Sequence, residues 1–358
     1  MRVAFVGVKR KYQELPASYR NVFTKTHLEL PYYFARDGGM DVTVTTVDYH
    51  DTPRSLFPSV GIDEIDSLKE SVSYGTLFHV LESDYVRRGV KFDVVVHWRK
   101  WFPEFYRPDA INVINCQDHS FGKEWQDSAS SAFAEGKLYG VLCFPTWHKR
   151  NLLRECPWLP EERAIDGLTL GVDTDIYRPH PEKDPYELLW ASDPGRGLYQ
   201  MTQIFAQLHA IDKRFRLNVC WPDYCNFAPS GPMSGVTWRG NVANGPELQE
   251  LFNKSGVLAY PSTFREPSSR AHRQAMAAGS LVLYPPGMGS PSELIVDGRT
   301  GVVSDPRTWA SSILYLVTSG EWRRIGAAAR EYAVSENWAV QAQRFRRFFE
   351  AASEVRAA

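Results

Sequence analysis

The sequence predicts an α/β protein built from two Rossmann-type arrays in series. Three observations carry this. Short runs rich in Val and Ile recur between helix-like stretches. A seam at 178–187, RPHPEKDPYE, combines prolines with charge and has no periodicity. The strand–helix alternation restarts beyond that seam. Near-continuous apolar strands separated by helices describe parallel sheets covered on both faces. A chain of 358 residues divides naturally into two domains at ~100–200 residues each.

In the first array the strands are RVAFVGV (2–8), DVTVTTV (41–47), FDVVVHW (92–98), INVINC (111–116) and GVLCF (140–144). Between the first two, THLELPYYFARDGG reads as a helix closed by glycines, with Pro31 inside it. The segment 73–89 also reads as a helix, because Leu77, Val80, Leu81 and Tyr85 recur at helical spacing. In the second array ELLWAS, RLNVCW, VTWRG, GVLAYP and SLVLYP read as strands. GLYQMTQIFAQLHA, PELQELFNKS and SRAHRQAMAAG read as helices between them. The stretch WAVQAQRFRRFFEAA forms a last helix with an aromatic and aliphatic stripe.

A formal net charge of −1 speaks against nucleic acid as a main partner, and allows at most peripheral membrane contact. Lys9, Arg10 and Lys11 form a local basic cluster near the start. The five cysteines have no CxxC spacing, and Cys116 and Cys143 fall in apolar strand-like runs. This pattern suits a reducing compartment, without disulfides or a zinc site. The chain opens on a strand-like run rather than a charged and then apolar leader, and no apolar run has the ~20 residues of a membrane span. A cytoplasmic protein is expected.

The segment 256–301, GVLAYPSTFREPSSRAHRQAMAAGSLVLYPPGMGSPSELIVDGRTG, is the richest in chemistry. A buried strand ends at Pro261, a loop carries Glu266, and a helix begins near Ser268 and Ser269. A helix N-terminus presents unpaired N–H groups and about half a positive charge, suited to a diphosphate or to sugar hydroxyls. Glu266 beside it can accept hydrogen bonds from hydroxyls. Gln274 lies about two helical turns further on, close to the same face. The plainer reading makes Ser268 and Ser269 simple helix caps.

These residues resemble the signature of the retaining GT-B glycosyltransferases, family 4 (glycosyl transferases group 1). That signature runs Pro-Ser, a short spacer, then Glu-x7-Glu-Ala-Met-Ala-x-Gly, and later Glu-Leu-x-x-Asp-Gly-x-x-Gly. Here it is carried by Pro261, Ser262, Glu266, the run Gln274 to Gly279, Glu293, Leu294, Asp297, Gly298 and Gly301. The resemblance implies that Glu266 contacts the donor sugar and that position 274 meets the nucleotide ribose. Gln274 stands where the family has Glu, exchanging a charge-assisted bond for a neutral one. PSSRAHR replaces the family's Gly-Phe-Gly.

A second likeness is GVDTDIYRP (171–179), similar to the family's Asn-Gly-Val-Asp-x-x-x-Phe-x-Pro. Gly171, Val172, Asp173, Tyr177 and Pro179 are in register, and Leu170 replaces Asn. Asp173, Thr174 and Asp175 have the Asp-x-Asp form of a metal site in GT-A enzymes. Their place at a domain junction, and two acids against six oxygen positions, speak against one. In WASDPGRGLYQMTQIF, Arg196 and Gly197 stand at the family's diphosphate-binding Lys-Gly, and Ser192 is nearest to the second basic position. Arg binds phosphate oxygens bidentately. In the first array INVINCQDHSFGKEW is similar to the strand and loop where the family shows His-Asp. Asp118 and His119 are therefore expected to contact the donor sugar or the acceptor. His97, Lys149 and Arg150 are weaker candidates for the cleft, and Thr146 is expected to cap a helix. The loop GVKRKYQELPASYRN lacks the family's Gly-Gly and is long and basic, which suits a distinct acceptor.

The resemblance implies a GT-B fold, with two Rossmann-like domains facing a central cleft and a C-terminal helix crossing back to the N-terminal domain. The expected boundaries are 1–178 for the acceptor domain, 179–333 for the donor domain and 334–358 for the closing helix. The expected activity is transfer of a sugar from a UDP-, GDP- or other nucleotide-sugar, with retention and without metal or other cofactor. The catalytic set is Asp118, His119, Arg196 and Glu266. Donor-binding residues are Ser192, Arg196, Gly197, Glu266, Ser268, Ser269 and Gln274. The acceptor is a small molecule, a glycan or a lipid-linked glycan. Two alternatives share the architecture: a catalytically degenerate binding partner, and a nucleotide-sugar epimerase. A nicotinamide dehydrogenase would need GxGxxG after an early strand, and neither Gly7 nor PPGMGS supplies it.

Overall fold

A computed structural model describes residues 1–7, 26–46, 71–72, 75–81, 91–144, 146–222, 225–242 and 246–357. The basic cluster at Lys9 to Lys11 and most of the long loop after the first strand lie outside the described residues. The chain forms two compact units, Met1–Leu170 with Trp338–Ala358, and Gly171–Asn337.

The first unit contains, in order, β1 (Arg2–Val6), α1 (Thr26–Arg36), β2 (Asp41–Thr46), β3 (Ser71–Val72), β4 (Gly75–Leu81), β5 (Val94–Trp98), β6 (Ile111–Asn115), α2 (Lys123–Ala134), β7 (Gly140–Leu142), α3 (Thr146–Glu155) and β8 (Ala164–Ile165). The eight strands are ordered β3-β4-β2-β1-β5-β6-β7-β8. All pairs are parallel except β3 with β4. β5 and β6 carry no charged residue, β1 only the exposed Arg2 at its start, and the rest of all three is buried, as a sheet covered on both faces requires. The helix expected over 73–89 is instead a strand at Gly75–Leu81, paired with β2 from Asp41↔Thr76 to Thr46↔Leu81. The run GTLFHVL satisfies both apolar patterns, and a sheet edge beside β2 decides between them. Residues 82–89 lie outside the described residues.

The second unit contains β9 (Asp184–Ala191), α4 (Leu198–Ile211), β10 (Arg216–Cys220), β11 (Val236–Gly240), α5 (Pro246–Lys254), β12 (Ser255–Ala259), α6 (Arg270–Ala277), β13 (Leu281–Tyr284), α7 (Pro291–Leu294), β14 (Val302–Val303), α8 (Trp309–Thr318) and α9 (Glu321–Ser335). Its six strands are all parallel, in the order β11-β10-β9-β12-β13-β14. This is the doubly wound order in which the chain leaves β9 one way and later returns to its other side. Ligands of such sheets bind beyond the carboxyl ends of the strands flanking that switch, here β9 and β12.

The chain passes between the units at Leu170/Gly171 and again at Asn337/Trp338, against the expected 178/179 and 333/334. Residues 171–178 belong to the second unit for a physical reason. Val172 and Tyr177 are buried in its core. The Asp173 carboxylate accepts the backbone N–H groups of Asp175 and Ile176 at 3.0 and 3.2 Å. Arg330 on α9 donates to the carbonyl groups of Thr174 at 2.9 Å, Tyr177 at 2.6 Å and Ala277 at 2.7 Å. The last helix, α10 (Trp338–Ala357), buries Trp338, Ala342, Phe345 and Phe349 in the core of the first unit. Trp338 stacks on Tyr33 of α1 at 4.7 Å between ring centroids, and Phe345 meets Phe34 at 4.7 Å.

Candidate active site

The residues after β9 and β12 converge in the second unit. Past β9, Asp193 caps a short turn by accepting the N–H of Gly195 at 2.8 Å, and the turn ends at Arg196. Gly197 follows with φ +124°, and a Cβ there would sit 2.3 Å from the carbonyl oxygen of Pro261. Only glycine allows this approach. It lets the N–H of Thr263 donate to the carbonyl of Arg196 at 3.2 Å, joining the loop after β9 to the loop after β12.

Arg196 Nη1 donates to Glu266 Oε1 at 2.8 Å and Oε2 at 3.0 Å. Its guanidinium also lies 4.5 Å from the ring centroid of Phe264. The Arg196 side chain is 32% exposed and that of Glu266 only 6%, so the pair presents its positive partner to solvent. Tyr260 donates its single hydroxyl proton to Glu266 Oε1 at 3.0 Å. The Ser192 hydroxyl, 2.7 Å from Tyr260 Oη, must then donate to it. Burial and the nearby Glu266 charge push the Tyr260 phenol well above its usual range, which keeps that proton in place.

The backbone of Glu266 is fixed as firmly. Its N–H donates to Met288 O at 3.1 Å, and its carbonyl accepts from Ser290 N at 2.9 Å. Gly289 has φ +108°, and a Cβ there would lie 2.4 Å from that carbonyl oxygen. Tyr284 Oη donates to Met288 O at 2.5 Å.

α6 begins at Arg270 after Ser269, whose side chain makes no capping bond. Its hydroxyl lies 2.5 Å from His272 Nδ1 instead. The plain capping role for Ser269 is thereby corrected, since the buried imidazole outcompetes the backbone for this hydroxyl. Burial lowers His272 to about 3, so its ring is neutral. Ser268 Oγ, His272 Nε2 and Ser290 Oγ are buried without a protein hydrogen-bond partner. Gln274 does not join the Glu266 network, and its Nε2 donates to the Tyr177 hydroxyl at 2.9 Å.

Asp118 and His119 follow β6 in the first unit. Asp118 forms a two-pronged pair with Arg99, with Nε to Oδ2 at 2.9 Å and Nη2 close to Oδ1. Arg99 follows β5 with φ 64°, the non-glycine residue with positive φ among the described residues. Such a conformation costs on the order of 1–3 kcal/mol and clusters at functional sites. His148 and Asn151 on α3 hold the loop from below. The N–H of Phe144 donates to His148 Nδ1 at 3.2 Å, so the neutral ring carries its proton on Nε2. It donates that proton to Asp118 O at 2.7 Å. Asn151 Nδ2 donates to His119 O at 2.7 Å. His97 is a core residue: it is fully buried, receives the N–H of Phe102 on Nδ1 at 3.3 Å, and faces Asn112 Oδ1 at 3.3 Å. Lys149 pairs with Asp166 at 3.4 Å. Thr146 is the first residue of α3.

Sequence reasoning missed Arg99, Tyr260, Tyr177 and His148. All but His148 stand at or just beyond strand ends or the seam, where an aromatic or basic side chain reads as core or loop. Among the described residues no group of three or more His, Cys, Asp or Glu could hold a metal ion. None of their helices is long and apolar enough to cross a membrane.

Residues 220–319 match the family described as glycosyl transferases group 1. A stretch of 94 residues is 33% identical to spore coat protein SA of Bacillus subtilis (strain 168), a match spanning 25% of this chain and 25% of that protein. Among solved structures, a glycosyltransferase from Rickettsia africae ESF-5 covers 98% of this chain and 97% of its own at 13% identity, with a TM-score of 0.67. HepE of Anabaena, solved with UDP and glucose, covers 98% of this chain and 100% of its own at 13% identity, with a TM-score of 0.64. The chain therefore has a GT-B fold, and residues 220–319 of its second unit are similar to the glycosyl transferases group 1.

Proposed function

We propose that this protein transfers a sugar from a nucleotide-sugar donor to an acceptor hydroxyl, with retention of anomeric configuration and without a metal ion. One observation carries the reading. Arg196 and Glu266, joined by a two-oxygen ion pair, stand beyond β9 and β12, the strands flanking the switch in the sheet. The family match covers the loop holding Glu266, and relatives of the same fold were solved with UDP.

In this mechanism the donor diphosphate takes up the exposed side of Arg196 and the N–H groups at the start of α6. Both are preorganised donors aimed at charge that grows as the diphosphate departs, an effect worth ~3–4 kcal/mol for one good donor. The fixed cation does what a metal would otherwise do. Glu266, released from part of its pairing with Arg196, accepts hydroxyls of the donor sugar. Ser268 Oγ, His272 Nε2 and Ser290 Oγ suit a polyhydroxylated ligand, because hydroxyls satisfy groups the protein leaves unpartnered, and Ser269 holds the His272 ring beside them. Ser192 acts through Tyr260 on Glu266. Gly197 sets the close approach of the two loops. Asp118 and His119 serve the sugar or the acceptor. The acceptor is a small molecule, a glycan or a lipid-linked glycan, and the buried free thiols of Cys116, Cys143, Cys156 and Cys220 suit a cytoplasmic protein.

The test is incubation with a panel of UDP-, GDP-, ADP- and dTDP-sugars, with and without EDTA, following release of the nucleoside diphosphate and the anomeric configuration of the product by NMR. EDTA-insensitive release with a retained configuration supports the reading. Binding of a donor without turnover would favour the non-catalytic alternative, which the Gln at 274 motivates.

A further inference from the structure

Two motif residues whose side chains differ from the family pattern by a polar group touch each other. Gln274 stands where the signature has Glu, and Tyr177 where it has Phe. They are far apart in sequence, yet Gln274 Nε2 donates to Tyr177 Oη at 2.9 Å in a buried setting. Tyr177 is held on all sides. It packs edge-on against Phe252 at 5.7 Å between centroids. Its N–H donates to Asp173 O at 2.9 Å, and its carbonyl accepts from Arg330 at 2.6 Å.

The physical reason for the pairing lies in symmetry. A carboxylate offers two equivalent acceptor oxygens, so it has no wrong way round. A glutamine offers one acceptor and two donors, so its acceptor end is held in one place when something engages its amino end. A phenylalanine at 177 could not do this. We propose that Tyr177 is a positioning residue that orients the Gln274 amide, committing Nε2 to the phenol and leaving Oε1 to accept a hydroxyl of the donor's ribose. Gln274 is 7% exposed, so the bond to the phenol is shielded from competing water. The Tyr–Gln pair thus replaces the Phe–Glu pair as a unit, with a neutral acceptor in place of a charged one. This rests on the function proposed above, in which position 274 belongs to the nucleotide site.

The experiment is calorimetric titration of the full chain with UDP, GDP, ADP and dTDP, and then with the 2′- and 3′-deoxy analogues of whichever binds. Wild type, Tyr177→Phe, Gln274→Glu and the double variant are compared, with thermal melting to show that each is folded. Tyr177→Phe is expected to weaken the nucleotide about three- to tenfold, the worth of one neutral hydrogen bond. It is also expected to shrink the preference for the ribose over its deoxy analogue, a readout that simple loosening would not move. The double variant is expected to regain that preference, because a carboxylate needs no orienting partner. A Tyr177→Phe protein that keeps both affinity and ribose preference within about twofold overturns the positioning role while leaving the donor site intact. Failure of the wild type to bind any of the four nucleotides overturns the donor reading itself, and this inference with it.

Discussion

Arg196 Nη1 bridges both oxygens of Glu266, at 2.8 and 3.0 Å, and so links the loop after β9 to the loop after β12. Glu266 is buried while Arg196 is one-third open, so the pair is stable without ligand yet offers its cation outward. Arg196→Ala is expected to lower kcat/KM by about a hundredfold or more, the loss typical of a preorganised donor. It also leaves a buried carboxylate without its cation, at a cost of about 3–5 kcal/mol. Melting must therefore accompany the kinetics, and Arg196→Lys should retain more of both. A folded Arg196→Ala enzyme within about threefold of wild type removes this residue from the mechanism.

Tyr260 is the second support of Glu266. Tyr260→Phe removes the bond to Oε1 and strands the Ser192 hydroxyl. The expected cost is about 1 kcal/mol in stability. A fall of roughly tenfold in kcat/KM should follow, as expected for ~1.4 kcal/mol at the transition state. An unchanged rate would show that the Glu266 carboxylate holds its place without the phenol.

Gly289 has φ +108° and no space for a Cβ against the Glu266 carbonyl. Gly289→Ala should destabilise the protein by about 1–3 kcal/mol and displace Glu266, so that activity falls more steeply than stability. Gly287, whose Cβ would meet nothing within 4 Å, has φ +71°. It is the control for backbone strain without that collision.

Three buried histidines predict the acid limb of stability. Burial lowers His97 to about 3, His148 to about 4 and His272 to about 3, against 6.5 in the unfolded chain. Their folded values are depressed, so below pH 6.5 the unfolded chain takes up protons that the folded chain refuses. Stability is present in full above 6.5 and is lost as pH falls towards 4 and then 3. The slope is about 1.4 kcal/mol per pH unit for each histidine. The check is the melting temperature from pH 7.5 to 4.5. His148→Gln, which keeps a donor to Asp118 O, should flatten part of the decline. A flat profile over that range would contradict the assignment.

The fold was legible because short apolar runs form the centres of its strands, VAFV in β1, VVV in β5, LLW in β9 and GVLA in β12. The edge at 75–81 was not. Leu77, Val80 and Leu81 fit a helix as well as a strand, and only the pairing with β2 separates them. Arg196 and Glu266, singled out in the sequence by local order and spacing, are brought together in the structure. Tyr260, Tyr177 and Arg99 were not readable in the sequence, because their roles come from partners distant along the chain. Tyr177 needs Gln274 beside it. Arg99 needs a left-handed backbone and Asp118 within reach, and no composition or spacing announces either.

The central claim, a nucleotide-sugar site built around Arg196 and Glu266, is tested most directly by thermal unfolding with UDP, GDP, ADP and dTDP and their sugar conjugates. A ligand at 100 times its Kd stabilises by about 2.7 kcal/mol, or several degrees at ~2–4 °C per kcal/mol. The account predicts such a shift for one nucleotide family, lost in a folded Arg196 variant. No shift with any member of the panel, or an equal shift in the variant, would contradict it.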